Sequence, residues 1–397
     1  MSMLIREPSV LASFDTPHRI WQGIPGIART RGGRTYLCFY SGGIKEDYGN
    51  FCLVQRSDDE KDYGKPILAA KKEGLFRCFD PVLWTDPRGR LWFFFNVMPG
   101  EEVYASVCED PDAEEPVFSE ERYVGRGIMM NKPTVLSDGS WLLSIAIWSH
   151  DLAPEFRAGT LTEEDVPLSY VYRSTDEGES FVRIGGADVP DRVFDEHMVL
   201  ERKDGSLLML VRTRYGIGQS ISTDGGVTWS AGEDSTLGGP CTRFHIRRLR
   251  SGRVLLLNHV NYTGRNNLTA LLSDDDGATF PHALLFDERA AVTYPDADED
   301  EEGNIYITYD RERGAFARSL ADVYGCEREI LVARITEADI LAGELVTEGS
   351  YLKRVVSKLG TLAPEHGDPF ADVQAPTEED AEQAALLGRK LVTGKKN

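Results

Sequence analysis

Apolar side chains along most of this chain come in short runs cut off by glycine and aspartate turns. Six runs stand out: TYLCFYSG from Thr35, RLWFFFNV from Arg90, SWLLSIAIW from Ser140, SLLMLVRT from Ser206, RVLLLNHV from Arg253 and NIYITYD from Asn304. Their length and their content of β-branched and aromatic residues predict strands, not helices. A helical pattern appears only near the end. Thr377-Glu-Glu-Asp380 has the form of a helix cap, Ala381 to Val392 has helical composition, and Arg389, Lys390, Lys395 and Lys396 complement the C-terminal end of a helix dipole.

The runs repeat. Each follows a turn with glycine at its centre: Gly32, Gly89, Gly139, Gly205, Gly252 and Gly303, spaced 47 to 66 residues apart. Six turns at that spacing predict six blades of four antiparallel strands, an all-β six-bladed propeller over residues 1–375. A short helical tail over 376–397 completes the expected organisation. Glycine fits the hairpin because it accepts positive φ without steric cost.

A second repeat follows three of the runs: Ser174-Thr-Asp-Glu-Gly-Glu-Ser-Phe181, Ser222-Thr-Asp-Gly-Gly-Val-Thr-Trp229 and Ser273-Asp-Asp-Asp-Gly-Ala-Thr-Phe280, with a degenerate copy starting at Ser57. In this S-x-D-x-G-x-[TS]-[WF] pattern the aspartate can cap turn amides, the glycine takes the strained position and the aromatic folds back on the sheet. These are Asp-boxes, and the chain resembles the sialidase superfamily of Asp-box propellers. The boxes belong at the blade periphery, away from substrate.

Composition narrows the partners. Lys plus Arg is 44 against 65 Asp plus Glu, a net charge of −21, which argues against nucleic acid and against anionic membrane surfaces. The hydrophobic fraction of 41% is that of a globular chain. No stretch is long and apolar enough to span a bilayer, and the N-terminus lacks the pattern of a secretory signal. The six cysteines, Cys38, Cys52, Cys78, Cys108, Cys241 and Cys326, are scattered singly and read as reduced thiols. A cytoplasmic carbohydrate-active protein without metal or cofactor is the expectation; the oligomeric state is left open. The acidic run Asp296 to Glu302 reads as a solvated loop, with a cation site as the alternative.

The glycine turns also act as a ruler for the chemistry. Nine residues before each lie Gly23, Asp80, Met130, Glu196, Arg243 and Tyr294, the expected starts of the axis-lining strands. Two residues further on, strand alternation puts Lys132, His245 and Asp296 on the same face. Charged groups at equivalent positions of a β core must be paired or used.

The resemblance implies roles for these residues. Tyr294 would be the nucleophile, activated by Glu196, and Asp47 the general acid/base. Arg212 and Arg265 match two substrate-binding arginines of the family. A phenol suits an anomeric carbon that carries a carboxylate, because a neutral nucleophile approaches it without charge repulsion. The family's first blade begins Arg-Ile-Pro, whereas this chain reads Gln22-Gly23-Ile24-Pro25. One member of the expected carboxylate clamp is therefore missing. Arg243, Arg214 or Lys132 are the candidates to replace it, and Gln22, Asp80 and His245 complete the expected substrate-binding wall. Two further readings follow from the same residues. One is a lyase or exo-glycosidase acting on uronate or rhamnose with Tyr294 or His245 moving the proton; the other is a non-catalytic glycan-binding propeller.

Overall fold

The computed structural model describes residues 2–16, 19–43, 46–153, 162, 165–314 and 325–359. The chain forms six antiparallel sheets in sequence order, each blade built from consecutive strands, as a six-bladed propeller. Every one of the six apolar runs is the second strand of its blade, for example Thr35–Gly42, Leu91–Met98 and Asn304–Arg311. They are buried on both faces, because each blade is sandwiched between two others, so they read as continuous apolar runs. Blade 1 carries an unforeseen fifth strand, Leu4–Ile5, at its outer edge. A short capped helix, Glu337–Ala342, leads into the last strand of blade 6. The helical tail expected over 376–397 lies outside the described residues.

The space between blades is filled by aromatic side chains. Trp84 and Trp92 of blade 2 meet Trp141 of blade 3 edge to face, with ring centroids 4.7 and 5.6 Å apart. Truncation of Trp141 to alanine would cost about 3–5 kcal/mol, the usual range for a buried large aromatic. At the rim, Ser174, Ser222 and Ser273 each donate to the box aspartate and accept the N–H of the box glycine. Gly178, Gly226 and Gly277 take positive φ, as the turn requires.

The innermost strands carry the feature that positions the site. In blades 1, 2 and 6 they span Trp21–Arg29, Arg77–Thr85 and Val292–Glu299. Each breaks register at an X-Pro pair: Ile24-Pro25, Asp80-Pro81 and Tyr294-Pro295. Proline has no N–H to give the ladder, so a bulge there sacrifices no donor. The residue before it takes positive φ, +53° at Ile24, +45° at Asp80 and +56° at Tyr294. Such a backbone costs on the order of 1–3 kcal/mol per residue and re-aims the side chain. Glu196, just ahead of the inner strand of blade 4, has φ +43°. In blade 1 the positive-φ turn glycine is Gly33, not Gly32, so the ruler lands one residue later, on Ile24.

The acidic run Asp296 to Glu302 is a solvated turn only at its end, where Glu301 and Glu302 are exposed. Val292–Glu299 is an inner strand buried along its whole length, Asp296 and Asp298 included. These carboxylates close the ring. Asp296 accepts the N–H of Ile27, Asp298 that of Arg29, and Asp310 that of Ile24, all at 2.8–2.9 Å. Three aspartate-to-amide bonds thus help to join blade 6 to blade 1, and among the described residues no strand is exchanged between them.

Candidate active site

The starts of the inner strands and the ends of the second strands share one face of the propeller. Tyr294 stands there on blade 6, with Glu196 and Arg212 on blade 4. The Tyr294 hydroxyl donates to Glu196 Oε1 at 2.9 Å, and Arg212 Nη1 reaches Glu196 Oε1 at 2.5 Å and the Tyr294 oxygen at 3.1 Å. All three residues are buried. Burial, and next the Glu196 carboxylate, raise the Tyr294 pKa against the pull of Arg212, Arg313 and Arg265. The phenol is thus a neutral donor whose proton already points at a base.

Arg265 lies in the loop after the second strand of blade 5, its guanidinium carbon 5.7 Å from the Tyr294 ring and bonded to Cys241 O. Arg243 approaches to 6.0 Å and is almost fully buried, with Nε and Nη1 unbonded. Asp80 is buried as well; loss of solvent, then the nearby Glu46 charge, push its pKa up to about 8. At neutral pH it is largely the protonated acid, able to donate.

Lys132, His245 and Asp296 meet in a separate cluster, as neighbours of Arg243. Lys132 pairs with Asp296, His245 Nδ1 lies 3.2 Å from it and Arg243 Nη2 3.9 Å. Burial disfavours a charged Asp296, yet Lys132 and then His245 hold its pKa far below the usual carboxylate range. Burial also lowers His245 to about 4, leaving it neutral. These groups form a buried charge cluster that joins blades 3, 5 and 6, in which both His245 ring nitrogens and Asp296 Oδ1 have no hydrogen-bond partner. Gln22 does not join the site. Its side chain bonds to Arg19, the carbonyl of Arg328 and Ser357 at the seam of blades 1 and 6. Arg214 lines a small separate surface pocket with Asp188, Asp191 and Arg192.

Asp47 sits in the loop between the second and third strands of blade 1. It is partly exposed, its backbone N–H donates to Asn50 and its Oδ1 accepts from Tyr48 N at 2.8 Å. The preceding residue, Glu46, reaches Arg313 Nη2 at 3.5 Å. Arg313 is the residue that sequence reasoning missed. It follows the second strand of blade 6, and its guanidinium carbon lies 4.2 Å from the Tyr294 ring centroid. The ruler of turn glycines reaches only the inner strands, so it did not flag the Arg311-Glu-Arg-Gly314 segment, which follows the second strand. Among the described residues no group of His, Cys, Asp and Glu is arranged to hold a metal, and no helix is long and apolar enough to cross a membrane.

Comparison with known proteins bears on this arrangement. The model of the BNR repeat-like domain family matches residues 34–307. A comparison with curated proteins finds no match. Among solved structures, the leech intramolecular trans-sialidase complexed with 2,7-anhydro-Neu5Ac superposes with a TM-score of 0.60 at 13% identity, covering 83% of this chain and 70% of that one. The intramolecular trans-sialidase from Ruminococcus gnavus in complex with oseltamivir carboxylate gives 0.58 at 15% identity, covering 83% and 97%. A protein of unknown function from Dyadobacter fermentans gives 0.58 at 17% identity, covering 73% and 90%. At these identities the likeness is one of fold.

Proposed function

Because the chain belongs to the BNR repeat-like domain family and has a sialidase-like six-bladed propeller, we propose that it is a glycoside hydrolase removing a terminal acidic sugar from a small glycan. Tyr294 Oη bonds to the anomeric carbon as the bond from that carbon to the leaving oxygen breaks. The phenol proton passes to Glu196, and the leaving oxygen takes a proton from the carboxyl group of Asp47. Water, deprotonated by Asp47, then displaces Tyr294 from the sugar, and the phenolate recovers its proton from Glu196. Arg212 stabilises charge on the phenol oxygen, and with Arg265 it holds the acidic group of the sugar.

The observation that carries this reading is the buried triangle of Tyr294, Glu196 and Arg212. A structural tyrosine needs one hydrogen-bond partner; this one has a carboxylate and a guanidinium on its oxygen. No comparable observation favours His245 as a proton-transfer group, since it faces Asp296 in the ion network.

The test is release of methylumbelliferone from its glycosides of N-acetylneuraminic acid, glucuronic acid and rhamnose. An acidic glycoside should be turned over, and Tyr294→Phe should lower kcat by a factor on the order of 10³ or more. Near-normal turnover by Tyr294→Phe sinks the assignment. An unsaturated, ultraviolet-absorbing product would replace hydrolysis by elimination.

A further inference from the structure

Tyr294 sits on a bulge whose two ends are both tied to one short segment of blade 5. Thr293 is the last residue of the inner strand to pair before the break in register, with Asp310, and Asp296 is the first to pair after it, with Thr308. Asp296 is the firmer end. Its Oδ2 accepts the Ile27 N–H at 2.9 Å and pairs with Lys132, while its Oδ1 faces His245 Nδ1 at 3.2 Å and Arg243 Nη2 at 3.9 Å. The side chain of Thr293 makes one bond, its hydroxyl meeting that of Thr242 at 2.6 Å. Both threonines are buried.

A hydroxyl taken out of water has to be bonded, whereas valine fills much the same volume with no such need. Packing between the blades is served by either residue type; what the hydroxyl pair adds is direction. Direction matters here because Tyr294 holds φ +56°, a backbone that persists only where its surroundings over-determine it. The segment that carries Thr242 also reaches the rest of the site. Cys241 accepts Arg212 Nε on Sγ at 3.5 Å and Arg265 Nη2 on its carbonyl at 3.1 Å. Thr242 N donates to Pro240 O at 2.7 Å, which folds the segment tightly. Three consecutive residues, Cys241 to Arg243, thus contact both arginines and both ends of the bulge.

We propose that Thr242 and Thr293 are positioning residues that hold the Tyr294 phenol on Glu196, and that residues 240–243 set the phenol and the two arginines as one unit. This rests on the hydrolase reading, in which Tyr294 is the nucleophile, and adds to it two buried residues that act through Tyr294. With Asp296 anchored from blades 1, 3 and 5, the hydroxyl pair fixes the other end of the bulge, and the phenol between them has one direction left to point.

The experiment compares the parent with the double variant Thr242→Val, Thr293→Val. Replacing both partners leaves no unpaired hydroxyl, so the melting temperature should stay within a few degrees of the parent's. On the methylumbelliferyl glycoside that the parent turns over, kcat should fall about 10-fold or more while KM changes by less than about threefold, as misplacement of a reacting group predicts. Thr293→Ser keeps the hydroxyl and should hold kcat within about threefold of the parent. Crystal structures of parent and double variant should show the Tyr294 hydroxyl withdrawn from hydrogen-bond reach of Glu196 in the variant. Should the double variant fail to fold, Thr242→Val alone is read in the same way. A Tyr294 hydroxyl that keeps its bond to Glu196 in the valine variant overturns the proposal, and so does a loss of kcat that Thr293→Ser shares. Failure of the hydrolase reading shows separately, as turnover that survives Tyr294→Phe or a parent that cleaves none of the glycosides, and the two crystal structures still decide the positioning.

Discussion

Asp176, Asp224 and Asp275 at the rim each accept bonds from a Ser or Thr hydroxyl and from turn amides, and those bonds lower their pKa values to about 2. Asp80 at the mouth has a buried Oδ1 with no hydrogen-bond partner, and its pKa rises to about 8. The residue type is the same at both ends of the blades. At the rim the turn offers enough donors to keep the carboxylate charged in full contact with water. At the mouth a strained bulge holds the carboxyl in a buried space, where loss of water and the Glu46 charge outweigh Arg77 and Arg243. Satisfied polar groups hold the sheets together, whereas unsatisfied and strained ones mark the place where a ligand completes the bonding.

Several substitutions would break or sharpen this contrast. The largest effect is expected from Glu196→Gln, which should lower kcat by about 10²–10⁴ with the melting temperature little changed, as loss of a general base does. Steady-state kinetics beside a thermal scan reads both. A large drop in stability with unchanged kcat would place Glu196 among the rim-type structural carboxylates.

Asp80→Asn tests the mouth through pH. The folded protein keeps the Asp80 proton while the unfolded chain releases it between pH 3.8 and about 8, so this group lowers stability as pH rises through that window. The variant should therefore lose less stability than the parent between pH 5 and pH 8 in denaturant titrations. Equal slopes would show that Asp80 is ionised in the folded state. Asp224→Ala at the rim should lower the melting temperature by a few degrees. It should leave kcat within experimental scatter, and a fall in kcat would breach the division between rim and mouth. The smallest effect is expected at Ser273→Ala, which removes one buried hydroxyl bonded to Asp275 and Gly277 and should cost about 1 kcal/mol.

The repeat made the ring legible in the sequence. Second strands are enclosed on both faces and so stand out as apolar runs, and a fixed turn length gives their spacing. The inner strands were harder to read, because bulges, prolines and buried charges interrupt the very pattern that identifies a strand. An X-Pro pair nine residues before a turn glycine was the available signal, shared by Ile24, Asp80 and Tyr294 once Gly33 replaces Gly32 as the reference. Tyr294 and Glu196 could be singled out because they sit at repeat positions, and Arg212 through the family resemblance. Arg313 and Glu46 lie in connections whose path follows from tertiary contacts, not from local pattern. Asp296 drew two expectations, an axis-lining position from the ruler and a solvated loop from its acidic run, and Asp298 only the second. Their burial follows from partners, Lys132 and Arg247, that are distant in sequence.

Two of the aspartates at the seam of blades 1 and 6, Asp310 and Asp296, answer acid in opposite directions. Asp310 protonates early, since burial raises its pKa more than Arg313 lowers it, while Lys132 keeps Asp296 ionised to far lower pH. As protons are added, the Ile24 amide loses its negatively charged acceptor well before the Ile27 amide does. Deuterium uptake at these two backbone sites should therefore diverge as the pH falls, rising first at Ile24.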